Sequence, residues 1–201
     1  GALLELALVN WALQELIKRG YSPVLPPDLV RGHVINGTGY QPRDNAPSQT
    51  YHVAGHDLAL IATSEIAMAG YYSDRLFFPH ELPVKCVAFS HCYRTEAGGH
   101  GQDIRGIYRV HQFSKVEIFS IGTPEMSEEM FDEIVYIQKS MFRDLGLQFR
   151  LCEMPSADLG APAYRKIDME AWMPGRKGYG EISSTSNCTD YQSRRLQMRY
   201  Q

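Results

Sequence analysis

Leu3, Leu6, Ala7, Leu13, Leu16 and Ile17 recur near helical spacing, and Lys18, Arg19 and Gly20 close the run, so the pattern predicts an opening helix. YSPVLPP follows as a short strand broken by Pro26 and Pro27, which cannot donate to a sheet ladder. Residues 31–50, rich in Gly, Pro and Asn, predict a loop holding one short helix. LALIA at 58–62 reads as a buried strand running into Thr63, Ser64 and Glu65, where a helix can start. Two long strands are expected over 84–93 and 107–119, joined as a hairpin. Thr123 is placed to cap a further helix, with Pro124 at its first position and Glu125 in its first turn. Met130, Ile134, Ile137, Met141 and Leu145 carry that helix at threes and fours until Gly146. Beyond it LQFRLCEM, YRKIDMEAWM and YGEISSTSN read as strands, followed by DYQSRRLQMRY. No repeat, low-complexity run or linker interrupts this order. The expectation is one α+β domain over residues 1–201 with a largely antiparallel sheet.

Composition narrows the classes. A chain of 201 residues, 44% hydrophobic and 21% charged, has the mass and balance for a substantial core rather than a disordered chain. No apolar run approaches the roughly 20 residues of a membrane span. Glu5, Gln14 and Glu15 make the first segment amphipathic, unlike a signal peptide. The first residue is Gly1, so processing or truncation is expected, and a targeting segment stays an open alternative. Net charge is −3 with no Lys/Arg block, so any RNA contact is expected to be local or supplied from outside this chain. Cys86, Cys92, Cys152 and Cys188 show no CxxC spacing; buried free thiols in a reducing compartment are expected, not a zinc site.

The chemistry concentrates in CYRTEAGGHGQDIRGIYRVHQFSKVEIF, residues 92–119. Strand alternation places Arg94 and Glu96 on one face of the first strand. It places Arg109, Phe113 and Glu117 on one face of the second, at intervals of roughly 13 Å. A cation, a flat aromatic and a carboxylate in line suit a ligand with phosphate, base and amine parts, such as a nucleotide joined to an amino acid. Cross-strand ion pairing on a surface ribbon would explain one such pair. It does not explain Arg94, Glu96, Arg105, Arg109, His111, Lys115 and Glu117 around one loop. Glycines 98, 99, 101 and 106 let backbone approach a ligand. Neither GxxxxGK[ST] nor GxGxxG is present, which excludes a P-loop and a Rossmann turn.

RTE, a short loop and RGIYRVHQFSKVE together resemble motif 2 of the class II aminoacyl-tRNA synthetases, in the form of their seryl branch. YSPVLPP after a long helix is similar to motif 1, which builds the dimer interface in that family. TSE at 63–65 resembles the TxE serine-binding element, with Ser64 where Ala is usual. LGAPAYRKIDMEAWMPG and GEISSTSNCTDYQSRRLQMRY resemble the run that precedes motif 3. The likeness covers nearly the whole chain in the family's order. It implies an antiparallel sheet flanked by helices and a partial class II catalytic domain.

The resemblance also implies an activity: ATP-dependent activation of L-serine to seryl-adenylate, then transfer of serine to tRNA(Ser). Arg94 would hold the α-phosphate of ATP in bidentate fashion, with Thr95 and Glu96 beside the nucleotide. Val110, His111, Gln112 and Phe113 would line the adenine pocket, Phe113 stacking on the base. Thr63, Ser64, Glu65 and Glu117 would bind serine, the carboxylates pairing with its ammonium. Glu181, Ile182, Ser183 and Ser184 would meet ATP, with Glu181 and Ser184 giving oxygens to Mg²⁺. Alternation pairs Glu181 with Ser183, so that last assignment requires a bulge or a helical turn. Adenylation needs no general base, because the serine carboxylate is already the nucleophile. His91, His100 and His111 are therefore read as structural or nucleotide-adjacent. Trp11 and Trp172 are read as core or interface, and Tyr40, Tyr51, Tyr71 and Tyr72 carry no usable pattern.

Two parts of the family pattern are not found in the sequence given: the N-terminal helical arm that reaches tRNA(Ser), and motif 3, whose Arg grips the γ-phosphate. The 201 residues alone are therefore expected to be weak or inactive. A homodimer through the first helix and the YSPVLPP strand is expected, with no membrane association. The bacterial and organellar phrasing suits the mitochondrial matrix or the cytoplasm. The alternative is a non-catalytic synthetase-like structural or regulatory protein that keeps the fold; an amino-acid ligase that loads a carrier protein is a minor option, which the ordinary TSE and HQF pattern points away from.

Overall fold

The computed structural model of the chain describes residues 1–40, 48–97 and 106–201. The chain divides into two compact units, Gly1–Ile121 with Tyr191–Gln201, and Gly122–Asp190. The fold class is α+β, as the patterning predicts.

In the first unit the opening stripe forms helix α1 (Ala2–Lys18), but Leu16 is the one buried residue on it and Leu3 is 83% exposed. Strand β1 (Ser22–Val24) ends before the Pro26–Pro27 pair, as expected. β2 (Leu29–Arg31), helix α2 (Gly32–Thr38), β3 (Leu58–Leu60) and helix α3 (Ser64–Tyr71) follow. Then come β4 (Leu76–Phe77), β5 (Val84–Tyr93) and β6 (Gln112–Ile121). β1 runs parallel to β5, and β5 pairs antiparallel with β6, setting Cys92 opposite Phe113 and Ala88 opposite Glu117. β2 and β3 form a small antiparallel pair. Val30, Val34, Ile61, Ala62 and Ile66 share one core cluster. Full burial stabilises each of the larger of these side chains by roughly 1.5–3 kcal/mol, so the turn into α3 is held from beneath.

The second hairpin strand starts later than its apolar pattern predicts, at Gln112 rather than 107. Ile107 is 95% exposed, and the segment before Gln112 bends instead of running extended. One further ladder-like bond, from the Arg94 N–H to the His111 carbonyl at 3.0 Å, lies past the strand ends. Gly98, Gly99, His100, Gly101 and Arg105 lie outside the described residues, as do 41–47 of the expected 31–50 loop.

In the second unit Thr123 precedes a single 3-10 turn (Pro124–Met126), and helix α4 (Ser127–Asp144) starts after it. Gly146 ends the helix with φ +68°, a conformation that suits glycine. β7 (Phe149–Glu153), β8 (Arg165–Met173) and β9 (Gly178–Asn187) form an antiparallel sheet in that order. α4 covers one face, where Phe131, Val135 and Met169 pack with Phe142, Ile167 and Ile182. Met169 pairs with Ser183 but Glu170 with Glu181, leaving Ile182 as an extra residue. β9 is therefore bulged at Ile182.

Helix α5 (Tyr191–Arg195) and β10 (Arg199–Tyr200) belong to the first unit, where β10 runs parallel to β4. All four cysteines are free; Cys86 and Cys92 are buried, and Cys152 and Cys188 are half-buried. Among the described residues no helix is long and apolar enough to cross a membrane.

Candidate active site

Glu117 stands at the centre of the first unit's polar cluster. On β6 it shares a face with Phe113 and Lys115, by strand alternation. That face meets the start of α3. Thr63 is extended at the N-cap position (φ −165°), and its own side chain caps nothing. Glu117 does the capping from 52 residues further along the chain: the Glu65 N–H donates to Oε2 at 3.0 Å. Ser64 Oγ donates to the same oxygen over a short distance, and Thr63 Oγ1 lies 2.8 Å from each carboxylate oxygen. A carboxylate at a helix N-terminus meets both unpaired N–H groups and the positive end of the helix dipole.

Lys115 completes the arrangement. Its Nζ lies 2.6 Å from Glu117 Oε1 and 2.6 Å from Thr63 Oγ1. Burial pushes the Glu117 carboxyl up, but the Lys115 charge with the Lys115, Ser64 and Thr63 hydrogen bonds more than reverses that, holding it below the usual carboxylate range. Glu65 moves the other way. Burial and then the Glu117 charge raise it, against the Gln192 hydrogen bond and the Lys115 charge. Gln192 on α5 donates to Glu65 Oε1 at 2.7 Å and to the Thr38 carbonyl at 3.1 Å. The acidities of two neighbouring carboxylates are thus pushed in opposite directions, a pattern common at functional sites.

The nucleotide-side residues differ from the in-line expectation. β5 ends at Tyr93, and Glu96 adopts φ +52°, so Arg94 and Glu96 do not alternate on a strand face. Arg94 instead folds back: its Nε donates to the Ala62 carbonyl at 3.2 Å, and its guanidinium sits 5.1 Å over the Phe113 ring. Arg109 lies before β6, out of line with Phe113 and Glu117, and pairs with Glu96 at 2.7 Å. Thr95 turns away, its Oγ1 donating to the Ser48 carbonyl at 2.7 Å. His111 Nδ1 lies 2.6 Å from the Tyr51 hydroxyl and 3.2 Å from the Arg94 carbonyl oxygen. Val110 is half-buried, and His111 and Gln112 are exposed.

Glu181 to Ser184 lie in the second unit. Because Ile182 is extra, Glu181 falls in register with Glu170 and Ser184 with Asp168, so both point to the same face of β9. That face is exposed at Glu181 and Ser184. The bulge needed for Glu181 and Ser184 to share a face is present. Ser183, Thr185 and Asn187 point to the other face, toward α4.

The structure therefore brings together Thr63, Ser64, Glu65 and Glu117, and, beside them on the same hairpin, Arg94 and Phe113. Sequence reasoning gave Lys115, Gln192 and Tyr51 no role. Lys115 had a signal, since a lysine two residues from Glu117 on a strand must share its face. Gln192 had none, being 127 residues from Glu65.

The fold is that of a class II synthetase core. Residues 50–201 match the family "tRNA synthetase class II core domain (G, H, P, S and T)", and the chain belongs to it. Its similar relatives are more specific. The serine--tRNA ligase of Rubrobacter xylanophilus is 52% identical over 98% of this chain and 46% of the relative, and that of Treponema denticola 48% over 98% and 47%. A seryl-tRNA synthetase from Pyrococcus horikoshii, solved with ATP, superposes with TM-score 0.94 at 40% identity, covering 100% of this chain and 44% of that one. A prolyl-tRNA synthetase from Giardia lamblia, at 18% identity and TM-score 0.83, shares the fold. The chain spans somewhat less than half the length of the curated relatives it matches.

Proposed function

We propose that the protein carrying this chain activates L-serine with ATP and transfers it to tRNA(Ser). In the first step a serine carboxylate oxygen attacks the α-phosphorus of ATP and pyrophosphate leaves. In the second the terminal hydroxyl of the tRNA takes the seryl group and AMP leaves. The observation that carries this reading is the hydrogen-bonded cluster of Thr63, Ser64, Glu65 and Glu117, two hydroxyls and two carboxylates, set beside a guanidinium that lies over an aromatic ring. Glu65 and Glu117 would take the serine ammonium. Arg94 would grip the α-phosphate and stabilise charge building there, with Thr95 and Glu96 at its side. Val110, His111, Gln112 and Phe113 would bound the adenine.

Glu181 and Ser184 offer one carboxylate and one hydroxyl on a single exposed face of β9. Hard oxygen donors in small number fit Mg²⁺ that is held mainly by phosphates. When bound, such an ion would neutralise phosphate charge. Ile182 and Ser183 would shape that edge. Both compact units are proposed to serve one catalytic domain. A homodimer through α1 and β1 is supported by the exposed leucines of α1. The proposed setting is intracellular, in the mitochondrial matrix or the cytoplasm.

The test is ATP–pyrophosphate exchange by the intact protein with serine, threonine and alanine, paired with a thermal shift on a non-hydrolysable seryl-adenylate analogue. Serine-dependent exchange and stabilisation are expected. Neither response, from folded protein, would replace this reading with that of a non-catalytic relative that keeps the fold.

A further inference from the structure

We propose that Gln138 on α4 is a positioning residue for the nucleotide-facing edge of β9; the inference rests on the assignment of Glu181 and Ser184 to an ATP–Mg²⁺ site. Gln138 interrupts an apolar stripe. It stands on the helix face of Phe131, Val135 and Phe142, at spacings of three and four, where a fourth apolar residue would be the simplest choice. Its two amide ends do different work. Nε2 donates to Ser183 Oγ at 2.5 Å, and Oε1 accepts from Thr185 Oγ1 at 2.5 Å.

Those two hydroxyls flank Ser184, and Ser183 follows the bulged Ile182 directly. A side chain between two anchored neighbours on a strand has its direction fixed, since alternation leaves one face for it. The bulge is what gives Ser184 the parity of Glu181, and a slip of one residue would turn one of them inward. Only one residue among those described bonds both Ser183 and Thr185 by side chain: Gln138. A partly buried amide that satisfies two hydroxyls pins the register in a way that an apolar side chain cannot.

The experiment is a comparison of Gln138→Met, which keeps length but makes neither bond, with Gln138→Glu. In the latter both hydroxyls can donate to the carboxylate. ATP affinity is read by isothermal titration at several Mg²⁺ concentrations, and KM for ATP and for serine by pyrophosphate exchange, all on the intact protein. Gln138→Met is expected to weaken ATP binding and raise its KM about tenfold, with the largest deficit at low Mg²⁺ and serine KM within about twofold. Gln138→Glu is expected to restore most of the loss. Equal changes in the ATP and serine KM, or no change in a folded Gln138→Met protein, would overturn the inference. If that variant does not fold, Ser183→Ala with Thr185→Val cuts the same bonds from the strand side, with the same two outcomes. Glu181→Gln separates the premises. Altered Mg²⁺ dependence there with none in Gln138→Met defeats the positioning role alone, while no effect of Glu181→Gln removes the assignment beneath it.

Discussion

Glu117→Gln is a severe change whichever way the new amide turns. Oε1 accepts from Lys115 and Thr63, and Oε2 from Ser64, Thr63 and the Glu65 N–H. An NH₂ at the first position faces an ammonium; at the second it faces a backbone N–H that cannot rotate away. One charge-assisted bond is lost, worth about 1.5–3 kcal/mol, and one donor is stranded at about 1–3 kcal/mol. The Lys115 side chain is 28% exposed, so water recovers part of this, and the expected cost is about 3 kcal/mol. Lys115→Met leaves Glu117 its Thr63, Ser64 and Glu65 donors and is expected to cost about 1–2 kcal/mol. The double variant is then expected near the cost of Glu117→Gln alone, a coupling of about 1–2 kcal/mol. Urea titrations of the wild-type protein and the three variants measure it. Additivity within about 0.5 kcal/mol, or a Glu117→Gln cost under about 1 kcal/mol, would refute the view that these groups act as one unit.

Acid titration of stability is expected to separate the two carboxylates. Glu117, depressed in the folded state, contributes stability that is whole above the ordinary range near pH 4.3 and lost as pH falls below it. Glu65, raised, gives stability that is whole below that range and lost as pH rises through its folded value; Glu117→Gln should flatten the acid limb and Glu65→Gln the other. Gly39→Ala is expected to cost about 2–4 kcal/mol by calorimetry, since φ is +75° and the new Cβ would lie 2.5 Å from a Tyr191 ring carbon; an unchanged melting temperature would contradict this. Arg94→Lys keeps charge but loses the bidentate guanidinium that lies over Phe113, and ATP affinity by calorimetric titration is expected to fall about tenfold. Leu3→Asp with Leu6→Asp should convert a dimer to monomers in sedimentation velocity, and an unshifted dimer would rule out α1 as its interface.

Much of the fold was legible because periodicity reports burial directly. The β5, β8 and β9 strands and the α4 helix fall where alternation or three-four spacing puts them. α1 shows the limit: its stripe predicts the helix, yet Leu16 is its one buried residue. The hairpin shows another. Apolar residues at 107–110 look like strand, yet the chain bends there, so the straight line from Arg109 to Glu117 dissolves. What stands in its place are contacts between distant segments, Glu117 to the start of α3 and Gln192 to Glu65, which no local pattern encodes. The bulge at Ile182 was legible only as a requirement of the resemblance.

Because Lys115 is tethered two residues from Glu117, the chain itself supplies an ammonium to that carboxylate. The serine ammonium proposed for Glu117 would meet an internal competitor, and its affinity would be the difference between two ion pairs rather than the strength of one. The cluster thereby avoids an uncompensated buried charge. On the proposed reading, selection would work by exchange: a guest must offer more than its positive charge, through hydroxyl or carboxylate contacts, to displace a host that never diffuses away.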